Sequence, residues 1–135
     1  MKKGKAQKGR RKVEIKGDVL IVNGIKYVPE GSEVKMAEKL NGMKYVICRT
    51  YSAGVFAGYL ESRNGQEVVM RNARRIWYWD GAASLSQLAM EGTSKPQNCK
   101  FPAPVDRVEL LQAIEILDVT EKAKKIIEQV IIWKA

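Results

Sequence analysis

Two Asn-Gly dipeptides, Asn23-Gly24 and Asn64-Gly65, each stand between runs rich in β-branched and aromatic residues, and they narrow what this chain can become more than any other feature. Asn and Gly both tolerate positive φ, so the pair suits the type I′ turn whose twist joins two adjacent antiparallel strands. Asp18 to Val22 and Ile25 to Val28 therefore read as a hairpin, preceded by the alternating Val13-Glu14-Ile15-Lys16. Around the second turn, Val55 to Ser62 and the long run Glu67 to Trp79 read as strands. Lys44 to Tyr51 is the strand before them, set apart from Val55 by the break Ser52-Ala53-Gly54. An antiparallel meander follows from that order.

Helical signals are short. Ser32 can cap a helix over Glu33 to Leu40, where Val34, Ala37 and Leu40 recur every third residue before Asn41-Gly42, with a polar loop as the alternative. Ser84 and Gln87 have the spacing of a capping box, and Gly92 stands where that helix should stop. Thr120 caps Glu121 to Gln129, with Ala123, Ile126, Ile127 and Val130 forming an apolar stripe. Between the helices, Pro96, Pro102 and Pro104 make Thr93 to Arg107 a loop. Val108 to Val119 reads as a strand, with helix as the alternative, and Val130 to Trp133 as a last edge strand. The expected fold is α+β: an antiparallel meander of five to seven strands with two or three short helices packed mainly on one side.

At 135 residues the chain fits one domain over residues 13–135 behind a basic arm at 1–12. The net charge of +9 is mostly that arm: seven of the 24 basic residues (Lys2, Lys3, Lys5, Lys8, Arg10, Arg11 and Lys12) lie in it with no acid, leaving 17 against 15 in the rest. Such a run repels itself and lacks apolar residues after Met1, so it is expected to be mobile alone. It could contact the phosphates of DNA or RNA with salt-dependent affinity, or serve only as a solubilising tail. No apolar run long enough to span a membrane and no signal peptide is visible, so a soluble cytoplasmic protein without a membrane partner is expected. Cys48 and Cys99 are too few and too far apart for a disulfide framework or a Cys-x-x-Cys metal clip, and buried reduced thiols are expected.

The absence of histidine removes the usual general base, the Ser-His-Asp and Cys-His arrangements and the commonest zinc ligand. No phosphate loop or dinucleotide fingerprint is present, and the 15 acids are scattered. A non-enzyme with no cofactor and no metal is expected. The densest chemistry is Arg74-Arg75-Ile76-Trp77-Tyr78-Trp79-Asp80-Gly81. On a strand, Arg75, Trp77 and Trp79 share one face and Arg74, Ile76 and Tyr78 the other. A ring stacks on a base and a guanidinium grips an anion, so each face suits a planar, phosphate-bearing ligand. Packing of one face into the core, with Arg at the rim, competes with that reading. Arg49, Arg74 and Arg75 are the candidate anion grips, and Trp77, Tyr78 or Trp79 the stacking surfaces. Ser52, in the small-residue break, allows close backbone approach, and Ser84 opens a helix whose first N–H groups can face an anion. Because the faces point apart, Arg75 with Trp77 and Trp79 is the preferred set.

Arg49-Thr50-Tyr51-Ser52-Ala53-Gly54-Val55-Phe56-Ala57-Gly58-Tyr59, together with Asn72 to Ala82, resembles small uncharacterised proteins of tailed phages and prophages, over roughly Val13 to Trp133. The resemblance carries no functional residue with it. It implies an accessory protein, including the kind that blunts host defence by sequestering a nucleotide signal. Three expectations stand side by side: a nucleotide-like small ligand, DNA or RNA held through the arm, and a virion or interaction protein with the aromatic strand as its interface. Trp133 and the nearby isoleucines could also cover a partner's edge strand, which allows a homo-oligomer.

Overall fold

One chain reversal falls at Gly65-Gln66, a residue later than the expected Asn64-Gly65 turn: Asn64 pairs with Glu67, and Gly65 rather than Asn64 takes a positive φ. The computed structural model describes residues 13–16, 19–22, 25–27 and 34–135. The basic arm, Asn23-Gly24 and the proposed cap Ser32 lie outside them. Two compact units, Met1–Val34 and Lys35–Ala135, divide the chain. In the first, β1 (Val13–Lys16), β2 (Val19–Val22) and β3 (Ile25–Tyr27) form an antiparallel sheet in that order. Val22 faces Ile25 across the chain reversal, the register of a two-residue hairpin loop.

The second unit contains β4 (Lys44–Thr50), β5 (Val55–Asn64), β6 (Glu67–Arg75), β7 (Val105–Leu110) and β8 (Ala113–Asp118). They pair in the order β7-β6-β5-β4-β8, every pair antiparallel. Strands β7 and β8 are thus opposite edges of one sheet, yet only Leu111 and Gln112 join them. In a flat sheet those edges would lie about 19 Å apart, whereas that link reaches about 11 Å. The sheet must curl. Gln112 O accepts from Tyr51 N–H at 2.9 Å, and Gln66 O, at the β5–β6 turn, accepts from Ala113 N–H at 3.0 Å. These bonds draw the corner together.

Curling separates two cores. Val46, Cys48, Phe56, Val68, Met70, Ala73, Leu110 and Ala113 form one cluster. On the other face, Tyr45, Ile47, Ala57, Tyr59 and Ile76 pack with residues of α1 (Leu85–Glu91), α2 (Glu121–Gln129) and the segment through Phe101. Both helices lie on that face, as expected. Both caps also form as the sequence indicates: Ser84 Oγ accepts from Gln87 N–H, and Thr120 Oγ1 from Ala123 N–H. A β-bulge then decides which side chains enter which core. Asn72 has φ 49°, and the β5–β6 register shifts between Ala57 and Tyr59. Val68 and Met70 face the first cluster; past the bulge Ala73 does so, which turns Arg74 and Ile76 toward the helices. Gly58 makes the bulge possible, because a Cβ there would sit 2.8 Å from Ala73 Cα and 3.0 Å from the Arg71 and Asn72 oxygens.

Several expectations are corrected. The helix over 33–40 is absent from its described part, residues 34–40. There Ala37 N–H donates to Val119 O and Lys35 O accepts from Glu121 N–H, so the segment is tied beside the start of α2. Strand β6 stops at Arg75 rather than Trp79 because β5 begins at Val55: Ile76 N–H takes the Val55 carbonyl, and beyond it the chain pairs with Lys100 instead of with β5. Val108 to Val119 is two strands broken at Leu111-Gln112, and β7 claims Val105 to Arg107 from the expected loop. The expected last strand is only a bridge between Ile132 and Phe101. Among the described residues eight strands are formed, more than expected, while the α+β class with a meander stands.

Candidate functional site

Past Arg75 the chain leaves the sheet and finds new partners. Trp77 and Tyr78 N–H groups both donate to Lys100 O, at 3.1 and 3.3 Å, and Lys100 N–H returns a bond to Tyr78 O at 2.8 Å. Farther along, Trp133 N–H donates to Phe101 O, beside the Phe101–Ile132 bridge. Three distant segments are thereby laid side by side. Their side chains form an open aromatic surface in which the Trp77 and Trp133 rings lie 8° from parallel with centroids 6.2 Å apart. Lys100 Nζ is 5.6 Å from the Trp133 ring centroid and 5.8 Å from that of Tyr78, cation–π distances. Trp77 is 63% and Trp133 43% exposed, and Tyr78 is also exposed.

The two arginines part company. Arg74 is 5% exposed, and its guanidinium donates to the carbonyls of Pro102, Ile127, Glu128, Phe101 and Val130. Five acceptors match the five donors of a guanidinium. Three of those carbonyls end α2, where the helix dipole is negative, so a buried cation is held there without a carboxylate. Burial pushes its pKa down, and the nearby Tyr45 opposes that shift. A cavity of about 300 Å³ lies beside it, lined by Tyr45, Asn72, Pro104, Glu128 and Ile132, but the donors of Arg74 are already committed. Arg75 stays exposed: Nη1 donates to Ala53 O at 2.6 Å and the guanidinium covers the Phe56 ring at 4.3 Å. It clamps the β4–β5 turn.

The remaining expected site residues are dispersed. Trp79 packs on the helix-side core and donates its indole N–H to Ala82 O at 3.1 Å, which removes it from the face expected to hold Arg75 and Trp77. Arg49 pairs with Glu115 at 2.9 Å on neighbouring strands. Ser52 is exposed in the turn that Arg75 clamps. Ser84 is spent on its cap, while Gln87 Oε1 accepts from Ala83 N–H at 2.7 Å, so the start of α1 is satisfied by its own side chains. Of the eight, Trp77 and Tyr78 meet at the surface with Lys100 and Trp133. Those last two were legible only as a loop lysine and a terminal aromatic, since nothing in the spacing joins them to residue 77.

The two cysteines sit inside the fold. Both are free and buried, Cys48 in the curled-sheet cluster and Cys99 in the helix-side one, and burial pushes the Cys48 thiol up to about 11. Asp80 is held below the usual carboxylate range by hydrogen bonds from the Asn98 amide and Gly81 N–H, as a turn residue would be. Among the described residues no three His, Cys, Asp or Glu side chains are grouped to hold a metal, and no helix is long and apolar enough to cross a membrane. A family model described as a domain of unknown function, DUF6948, matches residues 43–127, a span that includes Trp77 and Lys100 and stops short of Trp133. Comparison with curated proteins and with solved structures finds no match.

Proposed function

The chain belongs to the DUF6948 family, and from that premise we propose that it binds a phosphate-bearing, nucleotide-like ligand without catalysis. The observation that carries the reading is the exposed, near-parallel Trp77–Trp133 pair with the Lys100 ammonium against it. Indole faces stack on a base, and a lysine at their edge supplies a point charge for the phosphate. Arg75 and Arg74 are not needed for this, since their guanidinium groups serve the fold. In a phage setting, such binding would serve to withhold a nucleotide-bearing molecule from the host.

Thermal unfolding of the full chain against a panel of nucleotides tests the reading, because a ligand of the native state raises the melting temperature by mass action. A phosphorylated nucleotide should raise it and quench tryptophan fluorescence, the unphosphorylated nucleoside should do less, and Trp77→Ala should abolish both effects. Absence of any shift or quench across mononucleotides and oligonucleotides would remove the proposal. A second reading, a protein partner or a second copy of the chain, is favoured by Ile131 and Ile132, exposed beside Trp133. Under it, Trp133→Ala would weaken association measured by sedimentation and leave nucleotides without effect.

A further inference from the structure

Resting on the nucleotide reading, we propose that the ligand of the Trp77–Trp133 surface is a single strand of nucleic acid rather than a free mononucleotide. The geometry is that of a short aromatic stack. Two indoles contributed by separate segments are stacked 8° from parallel with centroids 6.2 Å apart, and both keep solvent-exposed surface, so bases can extend that stack. Successive bases of a strand can lie on such a stack, and stacking accepts any base because every base has a π-face. Tyr78 adds a further exposed ring, its centroid 5.8 Å from Lys100 Nζ.

Charge points the same way. Lys100 has no carboxylate partner among the described residues and stands between rings, where a backbone phosphate would pass if the bases lay on the indoles. Duplex is disfavoured because its successive base pairs stack on one another and hide the faces the indoles would cover.

The deciding experiment is fluorescence anisotropy of the full chain with labelled single-stranded DNA and RNA of about 12 nucleotides, within the usual span of stacking sites. Duplex of equal length and unlabelled mononucleotides serve as competitors. The strand should bind at least about tenfold more tightly than either competitor, and Trp77→Ala should lower its affinity by about 5- to 150-fold, the range for losing one stacked base. Lys100→Gln should flatten the salt dependence by about one phosphate contact. Because Trp77 and Lys100 are exposed, both variants should keep the parent melting temperature. A mononucleotide that binds as tightly as the strand and loses affinity in Trp77→Ala would overturn the inference and leave the nucleotide reading standing. No binding by strand or mononucleotide would overturn both. Strand binding that ignores Trp77→Ala and Trp133→Ala but vanishes when the seven cations of residues 2–12 become Gln would overturn the aromatic stack as the site.

Discussion

Arg74 shows how far the chemistry of one side chain depends on where the backbone puts it. A guanidinium suited to gripping phosphate is enclosed by five carbonyl oxygens and lies over the Phe101 ring at 5.6 Å. It joins the end of β6, the Phe101–Pro102 segment and the last turn of α2. Arg74→Ala should therefore cost about 3–5 kcal/mol in urea unfolding, since it leaves buried carbonyls unpaired. Arg74→Lys should recover only part of that, having three donors in place of five and no planar fork. Arg49→Ala is the contrast. Its half-exposed pair with Glu115 should be worth no more than about 1 kcal/mol. Equal costs at the two positions would refute this account of Arg74.

Among the elements, α2 and its caps hold the helix-side core together. Thr120 Oγ1 accepts from Ala123 N–H at 3.0 Å and donates to Met90 O at 2.8 Å, so a single hydroxyl starts α2 and fastens it to the end of α1. Thr120→Ala should destabilise by about 1–2 kcal/mol, at the upper end for a cap, because the Met90 carbonyl also loses its partner. Thr120→Ser, which keeps the hydroxyl, should restore most of it; no difference between the two variants would show that the cap is idle. Gly92 closes α1 at φ 76°, and a Cβ there would come within 2.7 Å of Ile126 Cδ1, so the stop signal also sets how closely α2 approaches.

Across the molecule, burial keeps the ionisable groups of Tyr45 and Cys48 neutral. Burial raises the pKa of Tyr45 well above the ordinary phenol range, with the Glu128 charge adding to it, and burial alone raises Cys48 to about 11. In the unfolded chain both would lose their protons earlier, so above the ordinary thiol value of 9.0 the native state holds more protons than the unfolded one. The stability these groups contribute is full below that pH and is lost as pH rises toward the folded values. Urea midpoints should fall between pH 8 and about pH 10.5, and Cys48 should resist alkylation at pH 8 until the protein unfolds. A flat alkaline profile, or rapid native-state alkylation of Cys48, would contradict the burial described.

Local sequence determined the parts whose causes are local. Gly65 placed a turn because glycine accepts its positive φ of 64°, Ser84-Gln87 and Thr120 placed helix starts because their side chains reach neighbouring N–H groups, and runs of β-branched and aromatic residues placed β4 and the start of β5. The length of β6 was not local, since a strand ends where its partner ends and Val55 opens β5. Three-residue spacing over 34–40 suggested a helix, but the backbone there pairs with Val119 and Glu121, more than 80 residues on. Most consequential was the bulge at Asn72: one extra residue, accommodated by Gly58 on the facing strand, sent Arg74 inward to the end of α2 and left Arg75 outside. The composition of the aromatic stretch marked it as the densest chemistry of the chain. Only tertiary pairing with Lys100 and Phe101 could bring Lys100 and Trp133 to Trp77, because a surface assembled from three separated segments leaves no periodic signature in any one of them.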